Sequence, residues 1–126
     1  MKFRILVSVT SLAVVLAVNP VFSQSAESTK LGDAQYEPRV GQSGKDVIWV
    51  PTNDAVADAM LKVAKVKSTD LVYDLGAGDG KIAIAAAKNF GATAVGVEYN
   101  KDMAELATRN TQRAGVADKV KIIHGD

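Results

Sequence analysis

Apolar positions fall into two rhythms along this chain. Leu71-Val72-Tyr73-Asp74-Leu75, Ala94-Val95-Gly96-Val97-Glu98 and Val120 to His124 are short apolar runs, rich in branched side chains and bounded by glycine or polar residues. Such runs predict buried strands. Between them, Lys81 to Phe90 reads as a helix, and Asp102 to Ala114 repeats Met103, Leu106, Ala107, Asn110 and Ala114 on one helical face before Gly115 stops it. Upstream, Thr52 is placed to cap a helix in which Val56, Met60, Val63 and Ala64 share one apolar stripe, predicted to pack on the sheet. The order helix, strand, helix, strand, helix, strand predicts a parallel α/β sheet with right-handed crossovers.

The N-terminal third follows neither rhythm. Lys2 and Arg4 precede a mostly apolar run from Ile5 to Val18, broken at Asn19-Pro20. A membrane-spanning helix needs ~20 apolar residues, so this run is short for a span and fits the apolar core of a secretory signal peptide ending near Ser23. Export to the periplasm or beyond is the expectation, with a membrane anchor formed by an uncleaved leader as the alternative. No stable membrane span is expected after cleavage. Residues 24–46 are rich in Ser, Gly, Gln and charge, and read as a linker or lead-in with no assignable chemistry. Residues 47–126 form the remaining unit, opening on the apolar patch Val47-Ile48-Trp49-Val50-Pro51. Trp49, the only tryptophan, fits either simple packing or the covering of a ligand pocket.

Composition narrows the chemistry. Loss of residues 1–23 would remove Lys2 and Arg4, leaving 103 residues with 13 basic against 14 acidic side chains, a net charge of −1. That balance argues against a nucleic-acid surface. With one His and no Cys, neither a zinc site nor a disulfide is expected. His124 reads as a strand-end residue rather than a general base.

The candidate chemistry lies where the first strand ends, in Asp74-Leu75-Gly76-Ala77-Gly78-Asp79-Gly80. Helix-opening N–H groups have no partner within the helix, and glycine removes the Cβ atoms that would block a ligand from the backbone. The spacing is G-x-G-x-G, with Lys81 where the dinucleotide fingerprint G-x-G-x-x-G has its third glycine. Asp74 and Asp79 beside the loop would repel a pyrophosphate and suit an ammonium or sulfonium centre. The residues therefore favour S-adenosylmethionine over NAD. Glu98 ends the second strand, near the ~20-residue offset at which a β-α-β unit presents a carboxylate to ribose hydroxyls. Asp126 is another acid just past a strand end.

VYDLGAGDGKIAIAAAK, GVEYN and IIHGD resemble the first three motifs of the class I S-adenosylmethionine-dependent methyltransferases. WVPT before a helix, DLGAGDGKI and GVEYN resemble more narrowly the small seven-strand protein-lysine methyltransferases of archaea and their mitochondrial relatives that modify an ATP synthase subunit. The resemblance runs from about Trp49 to Asp126 and implies a Rossmann-like fold with helices on both faces of a parallel sheet. It also implies that Asp74, Gly76, Ala77, Gly78, Asp79 and Gly80 line the methionine end of the cofactor, with Thr52 near its amino-acid group. Glu98 would hold the ribose, Tyr99 and Asn100 would border the adenosine, and Asp126 would approach the adenine amino group. Asp79 also fits a plain role in capping the helix after it, and Asp126 a solvated position.

The family's sheet has seven strands, and this sequence reaches the third. Most of the acceptor side is missing, so no catalytic residue can be named, and a longer gene product or a truncated relative inactive alone is expected. The resemblance implies a protein lysine as methyl acceptor. Two rival readings stay open on the residues, an NAD-dependent oxidoreductase half and a non-catalytic exported nucleoside-binding module.

Overall fold

The computed structural model describes residues 31–126. The predicted leader lies outside the described residues. In chain order the elements are α1 (Asp54–Val63), β1 (Leu71–Leu75), α2 (Lys81–Phe90), β2 (Thr93–Glu98), α3 (Lys101–Arg113) and β3 (Val120–His124). The strands form one parallel sheet in the order β1-β2-β3, with Asp74 opposite Gly96 and Glu98 opposite His124. This is a Rossmann-like α/β arrangement in part, carrying three parallel strands among the described residues.

Two successive right-handed crossovers in one direction place α2 and α3 on the same face of the sheet. The core records it. Val72, Ala94, Val120 and Ile122 point towards the helices and pack with Ala83, Ala86 and Ala87 of α2 and with Leu61 of α1. Leu71, Tyr73 and Leu75 point the other way and are exposed. The second layer of helices expected from the sequence has no counterpart among the described residues.

Alanines set the close spacing of this core. Gly96 goes further, because a Cβ there would lie 2.8 Å from the Ala77 Cβ and 2.9 Å from Ile122 Cδ1. Helix α2 ends as expected of a glycine stop, with Gly91 left-handed and the Ala92 N–H donating to the Ala86 carbonyl at 3.2 Å.

Helix α1 departs from the sequence expectation twice. Asn53, not Thr52, is its cap, accepting from the Ala55 N–H at 2.8 Å. Its buried residues are Ala57 and Leu61, whereas Val56, Met60 and Val63 are exposed. The helix packs on α2 rather than on the sheet. Periodicity picked the bulkier of two stripes, and the narrow gap beside α2 accepts the smaller one.

Candidate functional site

Strand ends, not the strands themselves, build the site. Leaving β1, the chain turns through Gly76, whose φ of 86° belongs to the left-handed region. The N–H groups of Gly76 and Ala77 both donate to the Val97 carbonyl, at 2.8 and 2.9 Å, which ties the loop to the end of β2. One residue further along β2, Glu98 reaches back. Its two carboxylate oxygens accept from the Gly78 and Asn100 N–H groups, each at 2.8 Å. The carboxylate is therefore fixed before any ligand arrives. A carboxylate has about four lone-pair directions, so two remain for a pair of hydroxyls.

A cleft of about 660 Å³ opens above these strand ends, and Gly76, Glu98, Tyr99, Asn100, Met103 and Asp126 are among the residues lining it. Asn100 also caps α3, accepting from the Met103 N–H at 3.0 Å. Trp49 lies at the cleft and packs against the loop. It lines the space, and its indole backs Gly78 so closely that a Cβ there would sit 2.7 Å from Nε1.

Other sequence candidates lie around this cleft rather than in it. Asp74 is half-buried at the end of β1, and its carboxyl is held above the ordinary range by burial, then by the charges of Asp79 and Glu98. Asp79 lines a second cleft of about 720 Å³ between α1, α2 and α3, and its carboxylate accepts from the Lys81 N–H at 3.2 Å. Burial raises its pKa too. Ala77, Gly78 and Gly80 are buried and contribute backbone. Thr52 is half-buried before α1 and does not line the cleft. His124 donates from its ring Nε2 to the Tyr99 carbonyl at 3.1 Å, a satisfied strand-end role.

The lead-in contains what sequence reasoning missed. Residues 41–49 form a small hairpin in which the Gly41 N–H donates to the Trp49 carbonyl and the Trp49 N–H to the Gln42 carbonyl, with Ser43 bridged to Ile48. The hairpin walls the cleft. Lys45 at its turn pairs with Asp126 and stands 5.8 Å above the Tyr99 ring. The signal was present as a Gly44-Lys45-Asp46 turn before the Val47-Ile48-Trp49 run. Among the described residues no group of His, Cys, Asp and Glu could hold a metal ion, and no helix is long and apolar enough to cross a membrane.

Comparison with known proteins points in one direction. Residues 72–126 match a family model described as a methyltransferase domain. A protein-lysine N-methyltransferase of Saccharolobus islandicus is 46% identical over 81 residues, 64% of this chain and 50% of that protein. A ribosomal protein L11 methyltransferase of Pelotomaculum thermopropionicum is 36% identical over 61 residues, 48% of this chain and 20% of that protein. In structure the chain is similar to an RNA methyltransferase from Salinibacter ruber in complex with S-adenosyl-L-homocysteine. The TM-score is 0.60 at 49% identity, covering 61% of this chain and 50% of that one. The chain spans half or less of the length of these relatives.

Proposed function

We propose, from a chain whose residues 72–126 match a methyltransferase-domain model, that the protein binds S-adenosylmethionine and serves transfer of its methyl group to a protein lysine. The observation that carries the cofactor reading is the Glu98 carboxylate, locked by the Gly78 and Asn100 N–H groups at the rim of the cleft with two acceptor directions free. A ribose diol fits that acceptor pair. The acids Asp74 and Asp79 beside the loop favour a ligand with cationic centres over a pyrophosphate. Solved neighbours from Salinibacter ruber and Thiobacillus denitrificans hold S-adenosyl-L-homocysteine.

Residues of this chain bind and orient. Glu98 anchors the ribose, the hairpin with Trp49 excludes water from one side, and the loop backbone fixes the methionine end. The cofactor supplies an electrophilic methyl group on sulfur, so that alignment provides much of the rate enhancement. A lysine acceptor must first lose a proton from its ordinary pKa of ~10.4, which a desolvating acceptor pocket favours. The lysine assignment draws on the Saccharolobus relative.

Calorimetry of the full-length protein with S-adenosylmethionine, S-adenosylhomocysteine and NAD tests the cofactor. Tighter binding of NAD would overturn it. Transfer of labelled methyl groups to protein, lost when acceptor lysines are acetylated, tests the acceptor. Label found in RNA instead would overturn the lysine reading and leave the cofactor reading standing.

A further inference from the structure

The loop Gly76 to Gly80 rests on α3 at three rungs. A Cβ on Gly78 would lie 3.7 Å from Met103 Cε, and one on Gly80 would lie 3.1 Å from the Ala107 Cβ. At the third rung Asn110 Nδ2 donates to the Asp79 carbonyl at 2.8 Å. Positions 103, 107 and 110 share one face of a helix. The first two rungs are close approaches that leave little room for a side chain, whereas the third has direction.

That direction is itself imposed. Arg113 donates to Asn110 Oδ1. Because a guanidinium only donates and a carbonyl only accepts, the Asn110 amide has a single orientation between them. Arg113 in turn donates through Nη1 to the Asp33 carboxylate at 2.9 Å, and Arg109 donates to the same carboxylate at 2.6 and 3.2 Å. Asp33 also accepts from the Gln35 and Tyr36 N–H groups, each at 3.0 Å, so its own segment is wound around it. The Arg109 guanidinium, first among these partners, holds the Asp33 carboxyl well below the usual carboxylate range. A continuous path thus runs from the lead-in through Arg113 and Asn110 to the backbone of the glycine loop. None of Asp33, Arg109, Asn110 and Arg113 lines the cleft that holds Glu98.

We propose that Asn110 is a positioning residue for the cofactor loop and that Asp33, by gathering Arg113, sets the Asn110 amide for that task. The lead-in around Asp33 then belongs to the binding apparatus while touching no ligand. The inference rests on the reading that this loop holds the amino-acid end of S-adenosylmethionine. Glycine-rich backbone loses more conformational freedom on ordering than other backbone. A loop that is only fractionally in its binding conformation weakens affinity by that fraction. The Asn110 bond removes this penalty in advance.

Asn110→Asp and Asp33→Asn, made in the full-length protein, test it. N110D keeps the volume and loses the donor; D33N removes the charge that collects the arginines and leaves α3 untouched. In ligand-free protein the hydrogen-bonded amides of Gly78, Gly80 and Lys81 should exchange roughly ten-fold faster in both variants, with the amides of β2 unchanged. Affinity for S-adenosylhomocysteine should fall about ten-fold, while that for adenosine, which lacks the amino-acid end, changes by less than about two-fold. The double variant should bind no worse than N110D, since both act on one path. Unchanged loop exchange in N110D overturns the proposal, and so does acceleration spread evenly over β2 and α2 in both variants. A wild-type protein that binds no S-adenosylhomocysteine refutes the cofactor reading instead, and the exchange comparison then decides the role of Asn110.

Discussion

Replacement of Glu98 should damage binding and folding together, because its carboxylate holds the loop and is the proposed anchor of the ribose. In Glu98→Ala the buried Gly78 N–H loses its acceptor. An unsatisfied buried donor costs about 1–3 kcal/mol. The Asn100 N–H is half-buried and water can replace its partner at lower cost. For a domain of this size each kcal/mol lowers Tm by about 4–8 °C. Loss of charge-assisted bonds to the ribose removes a further ~1.5–3 kcal/mol of binding, roughly ten- to hundred-fold in Kd. Glu98→Gln sharpens the test. Its amide must turn an NH2 towards either Gly78 N–H or Asn100 N–H, donor against donor, so the near-isosteric change should bind no better than alanine. Thermal melts of ligand-free protein and calorimetry with S-adenosylhomocysteine read the two effects separately. A Glu98→Gln protein with wild-type Tm and affinity would refute the two-sided role of the carboxylate.

The acids beside the loop predict a pH dependence. Burial, then Asp79 and Glu98, raises the folded-state pKa of Asp74, so the folded protein retains a proton that the unfolded chain has lost. That contribution is complete below about pH 4 and is lost as pH rises through the raised value. Asp74→Asn should therefore flatten the fall in ligand-free stability above about pH 4 while weakening S-adenosylmethionine binding; urea melts with an unchanged pH slope would contradict this. Gly96→Ala should destabilise by about 1–3 kcal/mol and loosen cofactor binding, because Ile122 can turn away but the Ala77 Cβ is fixed to the loop backbone. Wild-type melting and affinity in that variant would show that the loop yields freely. Mass spectrometry of protein from its native host should find a mature start near Gln24, and an intact N-terminus on cytosolic protein would overturn the predicted export.

Much of this architecture was legible because its elements obey single rules. Strands β1 and β3 and helix α2 occupy the residues their periodicity predicted, and Gly115 follows α3 as its stop. Glu98 was legible as an acid at a strand end. Its bonds to Gly78 and Asn100 were not, because they depend on how far the loop folds back over β2. Asp33 and Asn110 were illegible for a related reason. Each is an ordinary polar residue, and their meaning comes from contacts that cross from the lead-in to α3 and from α3 to the loop. The role of Lys45 likewise required the hairpin that carries it to Asp126.

Helix α1 and strand β1 show what periodicity measures. Val56, Met60 and Val63 do share a face, and so do Leu71, Tyr73 and Leu75, yet both faces are exposed among the described residues. The buried faces hold Ala57 and Leu61 on α1 and Val72 on β1. A repeat fixes which residues point together; whether that direction is inward depends on what stands opposite. Opposite α1 stands the alanine-lined surface of α2, where the larger stripe would force the helices apart. Opposite β1 stands a choice between the helix layer and an open face, which a near-continuous apolar strand cannot distinguish, since parallel strands are as a rule apolar on both sides. Asp74 breaks that ambiguity. It shares the helix-facing side with Val72 while sitting at the strand's C-terminal end, where the glycine loop begins. A carboxylate on the inward side of an otherwise apolar strand, its pKa raised by burial and then by the charges of Asp79 and Glu98, fits the cationic ligand proposed for that end.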